Sequence, residues 1–341
     1  MSKIILDRNE NNYGPAPACL DVLRNVQTNS LYSYTDAYKR GVKSALSERF
    51  ANDFNIAENR IILGYGAEDI LKQLVQFYLT TSAKLMIPAY SWWYYKAIAS
   101  EVGGINVEYP LTRGVDRFHY DIDQMISLIN KEKPALVFIS SPNNPTGNSI
   151  TDEELATVLD NLGQTTVALD EAYWAKGNNQ RARDLVEKYP NLIILRTFSK
   201  YFALAGIRIG YALIGENLRP FYKMANRYLG YNLLSEKLAL AALDSQAYYQ
   251  SINQKIEDDK KRYYNELGNL EGFTVFKSDA NFVLVEIPAA IKDSLKKYLE
   301  DRDIIIKFMN EEILNSHLRI TIGTVEENRT VIESIKNFMT K

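Results

Sequence analysis

The sequence predicts an α/β chain, with a mostly parallel central sheet flanked by helices and a smaller α+β domain towards the C-terminal end. Three observations predict it. Short apolar, β-branched runs recur at residues 61–63, 84–87, 135–140, 166–169, 192–195 and 209–214, separated by helically periodic stretches. Those runs are nearly continuous rather than alternating, as in strands buried on both faces. After about Asp244 the texture changes to charged helices such as 254–267 and short strands at 273–276, 282–286 and 318–322.

In chain order, residues 1–29 hold Pro15, Pro17 and little periodicity, and read as an arm. A large domain over 30–244 and a small one over 245–341 follow. Within the large domain, Gly64-Tyr65-Gly66-Ala67-Glu68 joins a strand to a helix bearing Ile70, Leu71, Leu74 and Val75. Free amides at Gly66, Ala67 and Glu68 would make that helix start an anion site. The acidic side chains of Glu68 and Asp69 must then turn away. Thr151 with Glu154 forms a capping box, and Leu155, Val158, Leu159 and Leu162 give the helix it opens a core face.

Composition narrows the chemistry. Forty Lys and Arg against 42 Asp and Glu give a net charge of −2, too balanced for a nucleic-acid or anionic-membrane binder. A single cysteine, Cys19, allows no internal disulfide, no apolar run approaches a membrane span and the opening residues lack a signal-peptide pattern, so a cytoplasmic protein is expected. The two histidines, His119 and His317, have no partner at metal-ligand spacing, so no metal is expected. Lysine, tyrosine, serine and carboxylates remain as reactive groups, which points to cofactor-assisted chemistry.

Five residues fit one cofactor. Lys200, in Arg196-Thr197-Phe198-Ser199-Lys200, follows the run 192–195 and would project into the crevice at the strand's carboxyl end. Taken alone, a Ser-Lys pair is more often a surface loop. Asp170 ends the run before Glu171-Ala172-Tyr173, where a carboxylate can either cap a turn or face a protonated ring nitrogen. Tyr173 would donate to a phenolate oxygen, while Arg208 and Ser199 would add a fixed charge and a hydroxyl to the anion site at residues 66–68. Lysine, acid, phenol and phosphate cup together are what pyridoxal 5′-phosphate (PLP) requires, with Lys200 as its Schiff-base residue.

At this point the chain resembles the fold-type I PLP-dependent aminotransferases, and among them the histidinol-phosphate aminotransferase group. Ser199-Lys200 followed by Leu204-Ala205-Gly206-Ile207-Arg208-Ile209-Gly210-Tyr211 matches that group's signature, as do Ser141-Pro142-Asn143-Asn144-Pro145-Thr146-Gly147 and Asp170-Glu171-Ala172-Tyr173. The likeness runs from Leu6-Asp7-Arg8-Asn9-Glu10-Asn11 to Leu318-Arg319-Ile320-Thr321-Ile322-Gly323-Thr324.

The resemblance implies further roles. Asn144 would hydrogen-bond the phenolate oxygen beside Tyr173. Trp93, in a cluster with Trp92, Tyr94 and Tyr95, would stack on the pyridine ring, although such a cluster also suits a core or an interface. Tyr34 would cross a homodimer interface to the partner's phosphate, with Thr35 standing where the family has proline. Arg319 would hold the substrate carboxylate, and Asn11 would also touch substrate.

The activity implied is transfer of an amino group between an amino acid or amino-alcohol phosphate, histidinol phosphate favoured, and 2-oxoglutarate. Lys307 replaces the family's phosphate-binding arginine, and Asn12 replaces a proline. Lysine keeps the charge and loses the fork. The alternatives are a non-phosphorylated, aromatic amino donor, with Tyr13, Tyr231 and the Trp92–Tyr95 cluster walling its pocket, and decarboxylation of the threonine-phosphate type.

Overall fold

Alternate residues of each central strand feed two different cores. Val167 and Leu169 join one cluster with Ile194, Val137 and Leu63, while Ala168 joins another with Ile193, Phe138 and Ile62. A strand turns successive side chains to opposite faces, so both faces of this sheet are covered, which explains the unbroken apolar runs. The computed structural model describes residues 3–175, 178–227 and 229–340.

Among the described residues, seven strands form the central sheet in the order Ile61–Gly64, Gly210–Ile214, Leu192–Thr197, Thr166–Asp170, Leu136–Ser140, Lys84–Pro88 and Ile105–Tyr109. Gly210–Ile214 runs antiparallel to both neighbours, and the other neighbouring pairs are parallel. Each expected strand is found within a residue or so of its expected limits. Helix Asp152–Asp160 starts with the expected reciprocal capping of Thr151 and Glu154. The strand Ile105–Tyr109 was not expected: it lies at the sheet edge with Asn106 and Glu108 in it, so it lacks the apolar run that marks its neighbours.

A second sheet has the order Ile4–Leu6, Ile304–Phe308, His317–Thr321, Phe282–Glu286 and Thr274–Phe276. Helices Gln246–Glu266, Lys292–Glu300 and Val325–Met339 supply Ile252, Ile256, Leu295, Leu299, Val331 and Ile335 to its core. Residues 4–6, read from sequence within an arm, pair in parallel with 304–306. Three residues are too few for periodicity to reveal. No helix among the described residues is long and apolar enough to cross a membrane.

Candidate active site

The loops leaving the carboxyl ends of Leu136–Ser140, Thr166–Asp170 and Leu192–Thr197 open into one cavity of about 630 Å³. This is the crevice where open α/β sheets hold ligands. The second sheet and the segment after its first strand close the other side with Asp7, Arg8, Asn9, Glu10, Lys307 and Arg319.

Asp170 ends its strand 5% exposed. Its Oδ1 accepts the Ala172 N–H at 2.9 Å and its Oδ2 accepts the Tyr95 hydroxyl at 2.6 Å. Burial pushes this carboxyl above its ordinary range, the two hydrogen bonds pull it partly back, and Glu171 pushes it up again. Among the described residues no cation pairs with this buried carboxylate, which is thus placed to receive one from a ligand.

Lys200 is half-buried at the cavity wall, where its Nζ donates to the Arg8 carbonyl at 2.9 Å and lies 5.7 Å from the centre of the Tyr173 ring. The Tyr173 hydroxyl accepts from Asn9 Nδ2 at 3.0 Å. Asn9 is itself fixed: its N–H donates to Thr321 Oγ1, and its carbonyl accepts from Asn281 Nδ2. Arg319 Nη1 donates to Asn144 Oδ1 at 2.6 Å, and Nη2 donates to the Asp7 carbonyl. The Asn144 oxygen is thereby engaged, leaving its amide N–H₂ as the donor end. Burial lowers the Arg319 pKa, yet a guanidinium stays charged at neutral pH. Arg319 Nε is buried with no hydrogen-bond partner, a donor waiting for an acceptor.

The helix Ala67–Tyr78 starts at Gly66 without any side-chain cap, which leaves the Ala67 and Glu68 amides for an anion, whereas the Gly66 N–H, expected to join them, donates instead to the Gly64 carbonyl at 2.8 Å. Arg208 reaches the same place and contacts Ser199 Oγ at 3.4 Å. Of the two acids expected to turn away, Asp69 does so, accepting from the Tyr65 N–H and from Arg227. Glu68 does not: its carboxylate lies 3.4 Å from Arg208, where an uncompensated arginine draws the nearest anion.

Other expected residues lie differently. Trp93 and Trp92 both border the cavity, Trp93 being 68% exposed. Tyr231 is not in its lining; its hydroxyl donates to the Leu63 carbonyl and its ring lies edge-on to Tyr65. Asn11 is also outside the lining, with Nδ2 donating to the Tyr201 carbonyl and Oδ1 accepting the Tyr13 N–H. Tyr34 is 71% exposed and away from the cavity of its own chain. Sequence reasoning missed Asn9 and Tyr95. Asn9 stood in a motif already singled out, whereas Tyr95 had only its place in an aromatic cluster.

PLP fits this arrangement: an uncompensated buried acid for the ring nitrogen, phenol and amide donors on the opposite side, and a helix start with an arginine for the phosphate. The sequence matches the family Aminotransferase class I and II over residues 2–335. The histidinol-phosphate aminotransferase of Ruminiclostridium cellulolyticum is 31% identical over 338 residues, 98% of this chain and 92% of that protein. The enzyme of that name from Thermoanaerobacter sp. strain X514 is 32% identical over 320 residues, covering 94% of this chain and 89% of that protein. The fold is shared with histidinol-phosphate aminotransferase from Sinorhizobium meliloti in complex with pyridoxal-5′-phosphate, at TM-score 0.88 and 24% identity over 99% of this chain and 91% of that one. It is shared also with L-threonine-O-3-phosphate decarboxylase from Porphyromonas gingivalis, at TM-score 0.80 and 20% identity over 99% of this chain and 100% of that one. A family match along almost the entire sequence, meeting a cavity of this chemistry, means that the chain belongs to the class I and II aminotransferases and is a PLP-dependent aminotransferase.

Proposed function

We propose that the protein moves an amino group between a phosphorylated amino donor, histidinol phosphate first among them, and 2-oxoglutarate. The carrying observation is that Lys307 and Arg319 stand directly opposite each other on antiparallel strands and both line the cavity. Like charges in that register repel, and an anion between them removes the cost. A phosphorylated donor and a dicarboxylic acceptor both bring such an anion. The aromatic-pocket alternative has less support, because Tyr13 and Tyr231 lie outside the cavity lining, although Trp92, Trp93 and Tyr95 border it.

When bound, PLP supplies an electron sink for the charge that develops at the donor α-carbon as its proton leaves. Lys200 Nζ takes that proton and returns it, while Asp170 holds the ring nitrogen's proton. Tyr173 and Asn144 would donate to the phenolate oxygen, Trp93 would cover the ring, and Ser199, Arg208 and the amides of Ala67 and Glu68 would hold the phosphate. Arg319, fixed by Asn144 and the Asp7 carbonyl, orients the substrate. Because the donor's product leaves before the acceptor enters, initial rates should follow a ping-pong pattern.

We further propose a homodimer in which Tyr34, exposed beside Leu31 and Tyr32, reaches the partner's phosphate site. The test of substrate is kcat/KM for histidinol phosphate, histidine and phenylalanine with 2-oxoglutarate. Preference for histidinol phosphate is expected. Preference for phenylalanine would overturn it, and carbon dioxide release from a phosphorylated amino acid would point to decarboxylation.

A further inference from the structure

Tyr95 is a group that the proposed mechanism leaves unused. It is 1% exposed, in the first turn of helix Trp93–Glu101, with its ring edge-on to Phe138 at 5.1 Å and to Trp92 at 5.8 Å. Those contacts fix the ring, and the ring fixes the hydroxyl, which donates to Asp170 Oδ2 at 2.6 Å. Burial and the neighbouring carboxylate hold the phenol protonated far beyond neutral pH, so in this pair it acts as a donor.

We propose that Tyr95 is a positioning residue that keeps Asp170 ionised and aimed at the pyridine nitrogen of the bound cofactor. Oδ1 is held by the Ala172 N–H and Oδ2 by Tyr95, so the carboxylate plane cannot swing. The second effect is electrical. In a buried site a pyridinium and a carboxylate can relax to a neutral pair by passing the proton to the acid, which weakens the ring as an electron sink. A phenol donating to the carboxylate stabilises its anion and leaves the proton on the ring. Tyr95 thus acts through Asp170, although its side chain also borders the cavity.

The inference rests on the assignment of Asp170 to the ring nitrogen, and the experiment separates the two. The holoenzyme is loaded with PLP labelled with ¹⁵N in the ring, and the nitrogen resonance is recorded for wild type, Asp170→Asn and Tyr95→Phe. Asp170→Asn is expected to move it to the unprotonated position; no movement there would remove the Asp170 assignment itself. Tyr95→Phe is expected to move it part of the way, and to lower kcat about ten- to a hundredfold, the scale of one hydrogen bond to a charged group, with donor KM within about twofold. A resonance unmoved in Tyr95→Phe while Asp170→Asn moves it would overturn the proposal. Should Tyr95→Phe fail to fold, site-specific 3-fluorotyrosine at position 95, a stronger donor of nearly the same shape, is expected to shift the resonance further towards the protonated form, and an unchanged resonance there would overturn the proposal equally.

Discussion

The guanidinium of Arg208 occupies the space that a side chain on residue 66 would need: a Cβ built on Gly66 falls 2.7 Å from Arg208 Nη2. Gly66 also has φ +84° and ψ 167°, a conformation that essentially only glycine adopts. Gly66→Ala should therefore displace Arg208 and disturb the start of the helix Ala67–Tyr78 together. The expected result is PLP affinity lowered about tenfold or more, on the scale of a lost charged hydrogen bond. Titrating apoprotein with PLP and following absorbance measures it.

Lys200→Ala should abolish the borohydride-reducible linkage to the cofactor and all turnover. Phosphate contacts survive in this variant, so PLP should still bind non-covalently. Mass spectrometry after borohydride treatment checks the linkage, and a labelled lysine elsewhere would refute the assignment.

Exchange at residue 307 separates the two kinds of anion. Lys307→Ala should raise KM for a phosphorylated donor by about tenfold, since one charged contact of this size is removed. Lys307→Arg should restore or improve it by supplying two parallel donors. For a donor without phosphate, both variants should stay near wild type.

Glu236 is buried, and burial raises its pKa from 4.5 to about 7, against smaller opposing hydrogen bonds from Ser44 and the Leu46 backbone. A carboxyl whose pKa is higher folded than unfolded binds its proton more tightly in the native state, so stability falls as pH rises from about 4.5 to about 7. The loss from this group amounts to about 3 kcal/mol at most. Glu236→Gln should remove that dependence, melting close to wild type at pH 5 and above it at pH 8. Thermal melts across this range test the sign.

Tyr34→Ala should weaken PLP binding in the dimer without changing the fold of either chain, because its side chain is exposed and far from its own cavity. A heterodimer of Tyr34→Ala and Lys200→Ala chains sharpens the test. Its one active site that keeps Lys200 would receive its tyrosine from the Lys200→Ala chain and should bind PLP normally.

The central strands were legible because burial on both faces leaves an unbroken apolar run, and Asp170 and Lys200 were legible because each stands just beyond such a run. Trp93 and Arg319 needed the resemblance, since no local pattern distinguishes them. Tyr95 and Asn9 were not legible at all as partners of Asp170 and Tyr173, because those contacts join residues 75 and 164 positions apart. Tyr231 misled for the same reason: its hydroxyl bonds the Leu63 carbonyl of a central strand, 168 positions away, a partner no local pattern reveals.

The strand Ile4–Leu6 pairs with Ile304–Phe308, and the residues just after it wall the cavity. The Asn9 N–H reaches Thr321, 312 positions along the chain. During synthesis the segment that carries Arg8 and Asn9 leaves the ribosome long before its partner strands, which lie some 300 positions further along the chain. The large sheet can form while that segment waits, but the wall facing Lys200 cannot be set until residues 304–321 have emerged. A ribosome-stalled chain ending before residue 300 should therefore present an open crevice, with its phosphate cup assembled and its substrate side missing.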